Sequence, residues 1–258
     1  MIAPTVGSLF AGIGGFDLGF AREGYEVRWQ VEIDEYCQKV LAKHWPHVPR
    51  YDDVRDCGLH NLEPVDVITG GFPCQDLSTA GKQEGLDGER SALWWDYHRI
   101  ISELRPRFAV VENVPNLFNR GIDRVCGSLA EIGYDAEWHV ISAADMGAPH
   151  LRKRAWLCTW PMAHTMREGL EGHTGDKTDS YECGRLTSGP DGYAAPPSLC
   201  NVSRGHHPGW ATEPELGRVA YGVPDRVDRL KGLGNAIVPQ IAQQIARTLK
   251  PHVETVLA

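Results

Sequence analysis

Short apolar runs alternate with amphipathic segments over the first 160 residues, and this alternation constrains the fold more than any other feature. Runs such as VDVITG and RFAVVEN have the length and β-branched content of buried strands. EYCQKVLAKHW and ERSALWWDYHRIISELRP instead carry apolar residues at helical spacing and meet prolines at their ends. Strands that alternate with helices build parallel, doubly wound sheets, so we predict an α/β fold with a mostly parallel sheet.

The pattern changes after Trp160. Residues 161–222 are rich in Gly, Pro, Ser, Thr and His and have little periodicity, which is typical of a loop-rich insert or a small irregular subdomain. The segment GNAIVPQIAQQIARTLKP then predicts an amphipathic helix from about Pro239 to Leu249. We therefore predict a main domain of residues 1–160 plus 223–258 and a small second region of residues 161–222.

Composition limits the class of protein. No apolar run reaches the length of a membrane span and no secretory leader is evident, so we expect a cytoplasmic protein without a membrane partner. The seven cysteines have wide spacings and form no CxxC, which favours reduced thiols over a disulfide framework. A formal net charge of −8 argues mildly against a nucleic-acid partner, although a local basic cleft can lie on an acidic protein.

The stretch GGFPCQDLSTAG, residues 70–81, places a single cysteine, Cys74, directly after Pro73. A lone cysteine is most often a small buried hydrophobe, and the alternatives are a metal ligand, a redox group or a nucleophile. The preceding strand delivers this loop to the carboxyl edge of the sheet, where the sites of α/β proteins cluster. That position gives the nucleophile more weight without excluding a buried role.

A glycine turn lies between the first predicted strand and helix. Gly12, Gly14 and Gly15 permit a tight turn and a close approach of backbone to a ligand. Glu32 follows Gly12 by twenty residues at the end of the next strand, a position that binds ribose hydroxyls in nucleotide-binding α/β folds. By itself the motif is equally compatible with a turn that binds nothing.

Three further stretches carry polar groups to predicted strand or helix ends. The buried strand AVVENV ends in Glu112, whose carboxyl group could be solvated, could cap the next element or could exchange a proton in a site. Arg152 and Arg154 alternate in GAPHLRKR, so both would point to one face of a strand, as in a solvated charged edge or in a site. GLGNAIVP is a Gly-Asn turn that opens the last helix.

Taken in order, these five stretches resemble the DNA (cytosine-5) methyltransferase family. FAGIGGF is similar to its first motif, GGFPCQDLS to its nucleophile motif and ENV to its glutamate motif. HLRKR is similar to its Gln-x-Arg-x-Arg motif, with His150 in place of the Gln, and GNAIVP to its last motif. The resemblance implies a Rossmann-like, S-adenosylmethionine-dependent methyltransferase core with residues 161–222 as a small target recognition region.

The resemblance also implies roles for individual residues. Cys74 would attack a flipped-out cytosine, Glu112 would hydrogen-bond its N3 atom and exocyclic amine, Arg154 would bind its O2 atom, and Arg152 would position the loop or backbone. Glu32 would hold the ribose of the methyl donor S-adenosylmethionine and Ile33 would touch its adenine, with no metal required. The full set of implied donor contacts comprises Phe10, Gly12, Ile13, Gly15, Glu32, Ile33, Asp53, Val54, Pro73, Leu93, Asn235 and Ala236.

The implied partner is double-stranded DNA, bound by a monomeric enzyme, with a cognate restriction endonuclease as a further partner that is not a stable subunit. The DNA surface is expected to draw on Lys82, Arg90, Arg120, Arg152, Lys153, Arg154, His206 and His207. Three alternatives remain at this point: an RNA cytosine-5 methyltransferase of the tRNA-modifying branch, an inactive DNA-binding homologue, and a structural zinc site. The zinc site would use Cys183, Cys200, His206 and His207, whose spacing matches no common Cys/His pattern.

Overall fold

The computed structural model describes residues 2–73, 93–162, 184–185 and 226–254. Its centre is an eight-stranded sheet with strand order β3-β2-β1-β4-β5-β7-β6-β8. Strands β1 to β5 run parallel, whereas β7 is antiparallel to both β5 and β6, and β8 is antiparallel to β6. The strands are β1 Thr5–Leu9, β2 Glu26–Val31, β3 Arg50–Tyr51, β4 Val67–Gly71, β5 Phe108–Asn113, β6 Tyr134–Ser142, β7 Lys153–Pro161 and β8 Gly184–Arg185.

Helices cover both faces of this sheet, which confirms the predicted α/β class. On one face α3 and α5 pack against buried side chains of β4 and β5, and on the other face α1 and α7 do so. The α-helices are α1 Gly15–Arg22, α2 Glu35–His44, α3 Leu93–Leu104, α4 Leu117–Arg120, α5 Ile122–Glu131, α6 Arg226–Asn235 and α7 Pro239–Glu254. Two 3₁₀ turns lie at Val54–Asp56 and Ala143–Met146.

The C-terminal helix packs back onto the N-terminal half of the chain. Gly19 of α1 allows the close approach, because a Cβ atom at this position would lie 2.6 Å from Cβ of Ala242 and 2.7 Å from the backbone nitrogen of Gln243. Close packing of α1 on α7 therefore fixes the end of the chain against the first βα unit.

Several elements differ from the prediction, among them α6, whose last residues, Gly232 to Asn235, are predicted from the sequence as part of a Gly-Asn turn. The last helix does not end near Leu249 but continues through Pro251 to Glu254, because Val253 is fully buried and its carbonyl accepts a hydrogen bond from Arg107. Burial of this last turn outweighs the helix-weakening effect of the proline. In addition, Gly184–Arg185 within the irregular region pairs with Glu137 and Trp138 of β6 as an edge strand.

The topology brings distant parts of the sequence to one edge of the sheet. Strands β1, β2, β4 and β5 are parallel, so their carboxyl ends meet there, and β7 begins at the same edge because it runs in the opposite direction. In the register, Gly71 lies beside Glu112 and Glu112 beside Trp156. Among the described helices, none is long and apolar enough to cross a membrane.

Candidate active site

Glu112 is a buried carboxyl group near the end of β5, with an exposed fraction of 9%. The neighbouring residue on β4 is Gly71, where a Cβ atom would lie 2.8 Å from Oε2 of Glu112, so the glycine leaves room for the carboxyl group. Desolvation raises the pKa of Glu112 to about 7, although the positive charges of Arg154 and Arg152 act against that rise. Near neutral pH the protonated and ionised forms therefore coexist.

The two predicted arginines both approach this edge but bind different groups. Nε of Arg154 lies 3.0 Å from Oε1 of Glu112, and its Nη1 donates to the carbonyl of Lys153 at 2.8 Å. Arg152 donates through Nη1 to the carbonyl of Gly234 and through Nη2 to that of Ala236, both at 2.7 Å. Arg152 is thus tied to the turn that precedes α7.

The backbone at Arg152 has a φ of 27°, in the left-handed region that non-glycine residues rarely adopt. The carbonyl of the preceding residue, Leu151, accepts hydrogen bonds from the backbone N–H of Ala143 at 2.9 Å and from the Ser142 hydroxyl. Anchoring of this carbonyl and the two guanidinium contacts together hold the strained conformation. The side chain of Lys153, between the two arginines, is exposed.

The segment that carries Cys74 leaves β4 beside Glu112. Phe72 is buried and packs on Trp94 with ring centroids 5.6 Å apart, and its carbonyl accepts a hydrogen bond from Nδ2 of Asn113 at 3.2 Å. Pro73 is half-buried and is the last described residue before the gap. Outside the described residues lie Cys74, Lys82, Arg90, Cys183, Cys200, His206 and His207, together with the side chain of Arg120.

Glu32 meets the glycine turn, as their spacing indicates. Its Oε2 accepts from the backbone N–H of Gly12 at 2.7 Å, and its Oε1 accepts from that of Asp34 at 2.9 Å. Burial raises the pKa of this carboxyl group, while the backbone donors favour its ionised form. Phe10, Gly12 and Gly14 all have positive φ, and a Cβ atom at Gly12 would meet nothing within 4 Å. The turn therefore borders open space next to a held carboxylate.

The other residues predicted to contact S-adenosylmethionine differ in how exposed and how free their side chains are. Ile33, directly after Glu32, has an exposed fraction of 68%, whereas Val54 is buried in the core at 4%. The carboxylate of Asp53 caps the 3₁₀ turn and pairs with Arg55, so it is already engaged. Leu93 and Ala236 are half-buried and Asn235 is exposed. Their contacts with a methyl donor stay predictions.

Gly15 and Gly71 allow the motif GLGNAIVP to pack closely against the motifs FAGIGGF and GGFPC. A Cβ atom on Gly15 would lie 2.6 Å from the carbonyl oxygen of Ile237, and one on Gly71 would lie 3.7 Å from Cδ1 of the same residue. Ile237 thus fills the space between the glycine turn and the end of β4. Sequence reasoning missed Ile237 and Gly71, although both lie inside the motifs GLGNAIVP and GGFPC that it singled out.

The residues at the turn fit S-adenosylmethionine. The Glu32 carboxylate can accept further hydrogen bonds from ribose hydroxyls, exposed Ile33 offers an apolar surface for a base, and the open space at Gly12 admits a close ligand. Within the described ranges, no three His, Cys, Asp or Glu side chains are grouped so that they could hold a metal ion.

A parallel sheet extended by an antiparallel β7, with a carboxylate on its glycine turn and a carboxyl–guanidinium pair alongside, is the arrangement of the Rossmann-like methyltransferase fold. Residues 5–170 match the family model of the C-5 cytosine-specific DNA methylases. The chain belongs to this family.

Named relatives agree with that assignment. The chain is 37% identical over 158 residues to the Type II methyltransferase M2.BsuMI of Bacillus subtilis, a match that covers 58% of this chain and 40% of that protein. It is 36% identical over 159 residues to the Type II methyltransferase M1.HphI of Haemophilus parahaemolyticus, which covers 57% of this chain and 43% of the relative. The chain thus spans less than half of the length of these curated relatives.

A solved structure extends the likeness of fold along the chain. The methyltransferase EhMeth of Entamoeba histolytica superposes with a TM-score of 0.66 over 98% of this chain and 99% of its own, at 14% sequence identity. At that identity the superposition concerns the fold alone.

Proposed function

We propose that this protein is a DNA cytosine-5 methyltransferase that transfers a methyl group from S-adenosylmethionine to C5 of a flipped-out cytosine through a covalent adduct of Cys74. Family membership supports the reaction class. The observation that carries the proposal is the pair of Glu112 and Arg154, 3.0 Å apart at the sheet edge where the Cys74 segment leaves β4.

The need for a thiol follows from the chemistry of cytosine. C5 is a poor nucleophile, and addition of the Cys74 thiolate to C6 turns the ring into an enamine-like species that is nucleophilic at C5. When bound, S-adenosylmethionine supplies the electrophilic methyl group. After transfer, water accepts the C5 proton, the C5–C6 double bond re-forms and the Cys74 thiolate is eliminated, so the enzyme is regenerated.

Glu112 has the properties required of a group that assists this addition. Electrons pushed into the ring at C6 accumulate toward N3, and a protonated carboxyl group can donate a hydrogen bond there. With a pKa of about 7, Glu112 keeps its proton in a large fraction of molecules at neutral pH. Arg154 holds the carboxyl group in place and offers further N–H donors for the cytosine O2 atom.

The donor would be held at the glycine turn. Glu32 would accept hydrogen bonds from the ribose hydroxyls and Ile33 would contact the adenine. The turn itself would approach S-adenosylmethionine closely at Gly12. Ile237 lies close to both Gly15 and Gly71, so it would border the donor half and the cytosine half of the site.

The proposed substrate is double-stranded DNA, acted on by a monomer in the cytoplasm, with a cognate restriction endonuclease as a partner in the cell. A cytosine inside a stacked duplex is closed to attack at C6, so the base must rotate out of the helix before it reaches Cys74. Arg152 and Arg154 bind protein groups, whereas Lys153 is exposed between them and is available to a phosphate.

Trapping with 5-fluorocytosine tests the proposal. Fluorine at C5 cannot leave as a proton does, so duplex DNA carrying this base and S-adenosylmethionine should yield a covalent complex that survives denaturation. Cys74→Ala should abolish the complex, whereas Cys126→Ala, which alters a buried cysteine of α5, should retain it. Transfer to adenine or to an exocyclic amine without an adduct, or an adduct with RNA alone, would contradict the proposal.

A further inference from the structure

Helix α6 lies against Ile13 of the glycine turn and Tyr36 of α2, which precede and follow Glu32 in the sequence. A Cβ atom on Gly232 would lie 3.2 Å from Cγ2 of Ile13 in the glycine turn and 3.7 Å from Cε1 of Tyr36 in α2. A side chain at this position would crowd Ile13, so the glycine favours the close approach of α6. The helix therefore borders the region where the methyl donor would be held.

An ion pair ties this helix to the loop that carries Glu32. Nζ of Lys231 lies 2.6 Å from Oδ2 of Asp34, and this pairing lowers the pKa of the Asp34 carboxyl group. The other carboxylate oxygen of Asp34 caps α2 by accepting from the backbone N–H groups of Tyr36 and Cys37. The backbone N–H of Asp34 itself donates to Glu32. A continuous set of polar contacts thus runs from Lys231 to Glu32.

The C-terminal end of α6, three residues beyond Lys231, is held at the catalytic edge. Arg152 donates to the carbonyls of Gly234 and Ala236, where the helix ends and the turn to α7 begins. The helix is consequently fixed at two points, one beside the glycine turn and one beside Glu112. Of these two attachments of α6, the contact made by Lys231 is the weaker, because its side chain is 61% exposed and its ion pair is screened by solvent.

We propose that Lys231 is a positioning residue for the methyl donor: through Asp34 it holds α6 against the loop bearing Glu32 and Ile33 and thereby slows release of the bound donor. The inference rests on the proposed function. In this proposal α6, which packs on Ile13 through Gly232, separates from Ile13 when the methyl donor exchanges. Since exposed ion pairs contribute little, we expect release to become about 2- to 5-fold faster when the pair is removed.

The test measures release of S-adenosylhomocysteine, the unreactive product form of the donor, by stopped-flow displacement. Lys231→Gln should release it about 2- to 5-fold faster and raise KM for the donor, with kcat at saturating donor nearly constant. Asp34→Asn, which can still cap α2, should have the same effect, and the double variant should add nothing further. Arg247→Gln is the matched control, because it breaks an exposed ion pair with Glu23 remote from the turn.

A second readout needs no ligand. In the donor-free protein, hydrogen exchange at the amides of α6 should be faster in Lys231→Gln than in the unaltered protein, with the thermal midpoint nearly unchanged. Equal release rates in the unaltered protein and Lys231→Gln would overturn the inference, whether or not exchange becomes faster. Failure of the unaltered protein to bind either form of the donor would overturn the proposed function as well, so the two failures are distinguishable.

Discussion

Nε of Arg154 lies 3.0 Å from Oε1 of Glu112, and this contact joins the start of β7 to the end of β5. Two opposing influences meet at the carboxyl group: burial raises its pKa, whereas the positive charges of Arg154 and Arg152 lower it. The balance leaves the pKa at about 7, so a modest change in either influence alters the fraction that carries a proton.

The first prediction concerns pH. If protonated Glu112 assists the attack of Cys74, its contribution is complete below a pKa of about 7 and falls as the pH rises through that value. Glu112→Gln offers an N–H donor at every pH. The ratio of adduct-formation rates, unaltered protein over Glu112→Gln, should therefore fall about tenfold per pH unit on the alkaline side. Because the Cys74 thiolate is common to both proteins, its own titration cancels, and a constant ratio would contradict the prediction.

The second prediction alters the partner of Glu112. Arg154→Ala removes the largest influence that lowers the Glu112 pKa, so the alkaline fall in rate should move to higher pH. Loss of donors for the cytosine O2 atom should also slow adduct formation by about 100-fold or more. Rates measured across pH give both quantities. Lys153→Ala changes the exposed neighbour on the same strand and should leave the pH of the alkaline fall in place.

The sequence was sufficient to predict the edge of the sheet where these groups meet. Glu32 and Glu112 each lie at the end of a short apolar run, and parallel topology requires such ends to converge. Arg154 instead precedes its apolar run and reaches this edge because β7 is antiparallel, which the alternation of strands and helices does not predict. The spacing of twenty residues between Gly12 and Glu32 likewise corresponds to a contact of 2.7 Å. Periodicity predicts these positions because they depend on strands that the local sequence specifies.

The contacts of α6 could not be predicted in the same way. Gly232 and Gly234 lower the helical propensity of this segment, and its helix is held by tertiary contacts from Lys231 and Arg152 instead. The partners of those two residues lie 197 and 82 positions away, respectively, in the sequence. Such pairings follow from the packing of α7 on α1, which no local pattern encodes.

A third prediction concerns Gly71. A Cβ atom here would lie 2.8 Å from Oε2 of Glu112, which is the mobile end of a side chain rather than backbone. Gly71→Ala should therefore displace the carboxyl group from Arg154 at little cost in stability. We expect adduct formation to slow by about tenfold or more while the free energy of unfolding changes by less than about 1 kcal/mol. If the rate of adduct formation and the free energy of unfolding both fell substantially in Gly71→Ala, the prediction would be wrong.

The fourth prediction compares two glycines by stability alone. A Cβ atom on Gly15 would lie 2.6 Å from the backbone carbonyl of Ile237, so Gly15→Ala should cost about 1–3 kcal/mol through forced separation of α1 from the turn before α7. Gly127 is exposed within α5 and a Cβ atom there meets nothing within 4 Å. Gly127→Ala should stabilise the protein by about 0.5–1 kcal/mol. Urea unfolding of both variants tests the difference in sign.

The last prediction concerns a buried acid beneath α1. Asp17 is fully buried, its Oδ1 accepts from Nε2 of Gln30 at 3.0 Å, and its Oδ2 has no partner among the described residues. Burial raises the pKa of Asp17 from 3.8 to about 6. A raised folded-state pKa means that the native protein binds the proton more tightly than the unfolded chain does. The contribution to stability is therefore complete below pH 3.8 and is lost as the pH rises through about 6.

Asp17→Asn isolates this contribution, because the amide cannot ionise and presents an N–H group in the same space. The oxygen Oε1 of Gln30 also lacks a partner among the described residues and is a candidate acceptor for that group. The free energy of unfolding of the variant minus that of the unaltered protein should be about 3 kcal/mol larger at alkaline pH than below pH 3.8, and it should fall as the solution is acidified from pH 6 to pH 3.8. Urea titrations of both proteins across this pH range measure the difference. A difference that does not vary with pH would mean that the pKa of Asp17 is the same in the folded and unfolded protein, which would contradict the prediction.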